Sequence, residues 1–189
     1  MTAILVLYED ARGAKGEFRP HDFFVGCVAD STNGDPHDLK RRVRAYPVRG
    51  VSKLLGHLRD LDDLDHLAPG GAPILAVLDD DHVREHFPPA ARLPASQAAA
   101  AIRSSSSHPE RLTVVLLERN MESVVEAMRG CGEKATELIA GALRKGLNER
   151  DQLFGKVAHD PARKPIRDCV RKAMQSVEQI VQAIRAAVA

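Results

Sequence analysis

Four short apolar runs punctuate the first two thirds of the chain, and three of them end in acid. Residues 4–8 lead into Glu9 and Asp10. Residues 74–78 lead into Asp79, Asp80 and Asp81. Residues 112–117 lead into Glu118, with Glu122 shortly after. Continuous apolar runs of this length predict buried strands. A weaker strand is predicted over residues 40–48, where Arg42, Arg44 and Tyr46 alternate with Val43, Ala45 and Pro47. Between the strands the apolar spacing turns helical. Phe23, Phe24, Cys27 and Val28 mark a helix over 21–29, and Val51, Leu54, Leu55, Leu58 and Leu61 mark one that Gly50 opens. Residues 60–71 read as an acidic turn and loop. Prolines 88, 89 and 94 precede an alanine-rich helix over 95–104. Beyond residue 120 only helices are predicted, over 121–128, 133–145, 148–157 and 165–187. The last carries the stripe Val170, Ala173, Val177, Ile180, Val181 and Ile184. Strands that alternate with helices predict an α/β fold. Its mainly parallel sheet of about four strands is covered by helices on both faces, with a helical C-terminal extension. The expected division is an α/β domain over 1–130 and a helical extension over 131–189 packed on it.

Parallel strands share one carboxyl edge, where open α/β sheets place their ligands. Glu9, Asp79, Asp81 and Glu122 are therefore expected to converge. Clustered carboxylates repel, and a hard divalent cation with oxygen ligands relieves the repulsion. The expected metal is Mg²⁺ or Mn²⁺. A solvated acidic turn is the plainer alternative for each run taken singly.

Composition narrows the classes. A chain of 189 residues can bury a sizeable core, and with 4% aromatics and no Trp that core must be aliphatic. Net charge is +1, from 27 basic and 26 acidic residues, so bulk charge does not announce a nucleic-acid partner. Local charge does: Lys40, Arg41, Arg42, Arg44, Arg49 and Lys53 crowd one stretch. Arg49 and Lys53, placed at the acidic edge, would grip a phosphate backbone, and His82 would contact phosphate or act as an acid. A solvated, charge-balancing face is the other reading. The three cysteines, Cys27, Cys131 and Cys169, are far apart and form no CxxC pair. They argue against zinc and against a disulfide framework, and fit a reducing, cytoplasmic setting. No signal-peptide pattern and no membrane-length apolar run is expected. Nor is there a GxxxxGK[ST], GxSxG or GxGxxG motif.

The order of acidic strand ends resembles the Toprim domain of topoisomerases, primases and nucleases of the OLD (overcoming-lysogenization-defect) type. In that family a glutamate ends the first strand and a DxD pair ends the third. Here Glu9 matches the glutamate, Asp79 and Asp81 match the DxD, and residues 43–58 are similar to the second strand and its helix. Glu122 matches the glutamate that opens the helix after the fourth strand, with Glu118 as competitor. The resemblance covers residues 3–128. It departs at Asp10, Ala11 and Arg12, where the family has a glycine, and at His82, where it has a small residue.

The resemblance implies a Mg²⁺- or Mn²⁺-dependent nuclease in which Glu9, Asp79 and Asp81 are catalytic and Glu122 completes a second metal site. It also implies nucleic acid as substrate and an ATPase as partner, in a defence or repair system against viruses or damage; a homodimer stays open. The alternative is a non-catalytic Toprim-like regulatory or binding subunit of an ATPase complex. A receiver domain lacks its lysine after a fifth strand here, and a haloacid-dehalogenase-type phosphatase carries its DxD on the first strand.

Overall fold

The computed structural model describes residues 2–9, 19–118, 120–132, 137, 149–158 and 160–189. Among these, four strands form one parallel sheet: β1 (Ile4–Glu9), β2 (Val43–Val48), β3 (Ile74–Asp79) and β4 (Leu112–Leu117), in the order β2-β1-β3-β4. Tyr8 pairs with Val77 across β1 and β3, and Glu9 with Val48 across β1 and β2. The side chains alternate as a doubly covered sheet demands. Ile4, Val6, Tyr8, Leu75, Val77, Val115 and Leu117 enter one core, and Leu5, Leu7, Ile74, Ala76, Leu78 and Leu116 enter the other.

The first core is closed by α1 (Arg19–Thr32), by α7 (Met121–Arg129) and by three C-terminal helices. These are α8 (Glu149–Ala158), α9 (Lys164–Ala173) and α10 (Gln175–Val188). The second is closed by α3 (Val51–Arg59), α4 (Leu61–Leu67), α5 (Asp80–His86) and α6 (Ala95–Ser104). Helix α1 is wedged so deeply that Pro20 to Ala29 are all buried. It lies against α8 so closely that a Cβ at Gly26 would stand 2.1 Å from the Ala158 carbonyl oxygen. The C-terminal helices share the core of β1, β3 and β4.

Three of the predicted elements change. Residues 40–42 are not strand: they end a helix, α2 (Pro36–Arg42), with Asp35 as N-cap accepting from the His37 N–H and Pro36 in the first turn. Residues 61–67 are helical, not loop, because the Asp60 side chain caps α4 through the Asp63 N–H. The long terminal helix is two, because Met174 is extended (φ −125°, ψ 110°) between α9 and α10. The terminal stripe is nonetheless buried at Val170, Val177, Ile180, Val181 and Ile184. The helix expected over 133–145 lies, but for Glu137, outside the described residues. Cys131 and Cys169 form a disulfide, which runs against the reading that disfavoured a disulfide framework and removes that argument for a reducing compartment. No helix among the described residues is long and apolar enough to cross a membrane.

Candidate metal centre

The chain leaves β1 for the neighbouring β2 and later leaves β3 for β4 on the opposite side. The topology therefore switches direction between β1 and β3, and a crevice forms at their carboxyl ends. Glu9 and Asp79 are the last residues of those two strands. By alternation Glu9 follows Leu5 and Leu7, whereas Asp79 follows Leu75 and Val77, so the pair straddles the sheet edge.

Glu9 is 6% exposed and Asp79 9%. The Asp79 N–H donates to Glu9 Oε2 at 3.2 Å. His82, in the first turn of α5, places Nδ1 2.8 Å from Glu9 Oε1 and 3.8 Å from Asp79 Oδ2. One ligand atom from each of Glu9, Asp79 and His82 lies within 4.8 Å of the others. Asp79 Oδ1 is buried with no hydrogen-bond partner among the described residues.

The electrostatics follow. Burial is the main cause that pushes the Asp79 carboxyl up to about 7, and the Glu9 charge adds to it. Asp81 and Glu122 push in the same direction, and His82 opposes them. His82 is itself raised above the ordinary histidine value, first by its hydrogen bond to Glu9. A cation beside Asp79 would offset the burial and the Glu9 charge that hold its carboxyl up.

The donor set fits such a cation: two carboxylates, one of them with an orphaned oxygen, and an imidazole. The two carboxylates suit Mg²⁺ or Mn²⁺, and the imidazole adds a nitrogen donor that also suits zinc or iron. Of the four expected metal ligands, the structure brings Glu9 and Asp79 together and leaves two outside the group. Asp81 is exposed on α5 and accepts from the His82 N–H at 2.9 Å. Glu122 is exposed on α7, 3.2 Å from Arg150 Nη1. Glu118 accepts from the Ser176 N–H at 3.5 Å. His82 takes the third place, although it was expected to contact phosphate or act as an acid. Its three-residue spacing from Asp79 across a strand-to-helix turn was the signal available. Arg49, directly after β2, and Lys53, in the first turn of α3, are exposed, with no ion pair among the described residues.

Comparison of the chain with family models, curated proteins and solved structures finds no match.

Proposed function

We propose that this chain performs metal-dependent phosphodiester chemistry on nucleic acid with a Toprim-like site. The observation that carries the reading is the buried pair Glu9 and Asp79 at the switch point of a parallel sheet, with an orphaned Asp79 oxygen. Glu9, Asp79 and His82 would hold Mg²⁺ or Mn²⁺. Such an ion polarises a phosphodiester and activates water when bound. Glu9 orients His82 through Nδ1, which leaves Nε2 as the ring nitrogen that could ligate the ion. Asp81 and Glu122 act as outer anions whose charges reach Asp79, and Arg49 and Lys53 hold the phosphate backbone at the end of β2.

The test is incubation of the protein with single- and double-stranded DNA and RNA in Mg²⁺ or Mn²⁺. Cleavage that is lost in Glu9→Gln and Asp79→Asn supports the reading. Both Glu9 oxygens are already engaged, by the Asp79 N–H and by His82, and this favours a second reading. There the group is a closed structural pair in a regulatory subunit that docks on an ATPase. Neither a metal-induced shift in Tm nor cleavage of any nucleic acid would select it.

A further inference from the structure

The disulfide lies apart from the carboxylate group. Cys131 follows α7 and Cys169 sits on α9, with their Cα atoms 5.9 Å apart. Both are half-buried. Cys27 is deep in the core, where burial holds its thiol far above the ordinary range. Thiol chemistry is thereby confined to the bridge.

Cys169 forms part of the wall of an open groove of about 840 Å³, together with Pro161, Pro165, Lys164, Asp168 and Lys172. Asp168 already faces Lys164 at 3.6 Å and Arg171 at 3.7 Å. Lys172 is exposed and makes no ion pair among the described residues. The groove therefore combines a half-buried disulfide cysteine in its wall, apolar walls and an excess of positive charge.

We propose that Cys169 is a thiol-exchange site for a small acidic thiol, which enters the groove with its carboxylate toward Lys172 and Lys164. The thiolate attacks Cys169 Sγ. A new sulfur–sulfur bond forms between thiol and Cys169 while the bond to Cys131 breaks. The electron pair leaves on Cys131 Sγ, which takes a proton from water. A second thiol releases the mixed disulfide, so two electrons pass from two small thiols to the bridge. Attack falls on Cys169 because it is the cysteine that lines the groove. The site is independent of the metal centre, and it controls the covalent tie between the end of α7 and α9.

The experiment uses the full, air-oxidised chain with glutathione, an anionic thiol, or cysteamine, a cationic one. Intact mass and peptide mapping follow the adduct. Each rate is divided by that thiol's rate with a small free disulfide. The expected result is an adduct on Cys169 with Cys131 released, formed several-fold faster with glutathione at low salt. Substituting Lys164→Gln and Lys172→Gln together slows glutathione and removes the preference, while the cysteamine rate stays level or rises as repulsion of the cation is lost. An adduct on Cys131, equal normalised rates, a preference that survives the lysine changes, or free thiols at Cys131 and Cys169 in the oxidised protein would overturn the proposal.

Discussion

Helix α1 and the strand ends both bury carboxylates, with different company. Asp22 on α1 meets Lys40 Nζ at 2.8 Å and Arg19 Nη1 at 3.3 Å. Asp30, a little over two turns on, is gripped at both oxygens by Arg167, which also donates to the Val157 and Asp160 carbonyls. At the strand ends Glu9 and Asp79 face each other, and the cation beside them is the partly exposed His82. A buried anion matched by cations belongs to the fold. A buried anion set against another anion is stable only with a proton or an added cation. The α1 acids are therefore structural, and the strand-end acids are the candidates for chemistry.

The sharpest break in this contrast is Arg167→Ala. It strands Asp30 and two carbonyls in the interior, and about 3–5 kcal/mol of stability should be lost. Urea unfolding measures it. A loss below about 1 kcal/mol would place Asp30 with the exposed pairs instead.

Asp79 should show the opposite sign. Its carboxyl titrates near 3.8 when unfolded and at about 7 when folded. Between those values the folded state binds the extra proton, so metal-free stability falls as pH rises through the window and levels off above it. The ceiling is about 4 kcal/mol. His82 acts in the same direction: its contribution is full below the ordinary histidine range and is lost as pH climbs through its raised value. Asp79→Asn should flatten the slope and raise stability at pH 8. Denaturation midpoints across pH 4–8 decide it, and an unchanged slope would mean Asp79 is solvated.

A cation should supply what α1 already contains. Mn²⁺ at a hundred times its Kd stabilises by about 2.7 kcal/mol. Glu9→Gln should abolish that shift in Tm while the fold stays intact. If Mn²⁺ shifts Glu9→Gln as much as the parent chain, the binding site is elsewhere.

Much of this arrangement was legible in the sequence, for identifiable reasons. The apolar runs ending in Glu9 and Asp79 gave strands, and parallel pairing put their ends side by side. Residues 40–42 misled because Arg42, Arg44 and Tyr46 mimic strand alternation, while the helix signal sat upstream in Asp35 and Pro36. The short α4 was hidden because its cap, Asp60, reads as one more acid in an acidic loop. The break at Met174 leaves no trace, since the apolar stripe continues across it. Asp81 looked equivalent to Asp79, but β3 ends at Asp79 and the turn into α5 swings Asp81 outward and His82 inward. The pairing of Cys131 with Cys169 depends on how α7 meets α9, which spacing along the chain does not encode.

The smallest expected effect separates cations that are committed from cations that are available. Lys40 is tied to the buried Asp22, whereas Arg49, directly after β2, and Lys53, in the first turn of α3, are exposed near the end of the strand beside the one that carries Glu9. If nucleic acid binds at this edge, each of these two side chains should neutralise one phosphate. Arg49→Ala or Lys53→Ala should then lower the slope of log Kobs against log salt by about 0.9 for double-stranded DNA or about 0.7 for a single strand, nearly alike for every sequence. The Mn²⁺ shift in Tm should persist in both, because neither touches Glu9 or Asp79. Lys40→Ala is the control. It should lower stability through Asp22 and leave the salt slope alone. A slope that changes with Lys40 but not with Arg49 or Lys53 would move the nucleic-acid surface to the α1–α2 side. It would leave the strand-end acids without a phosphate grip.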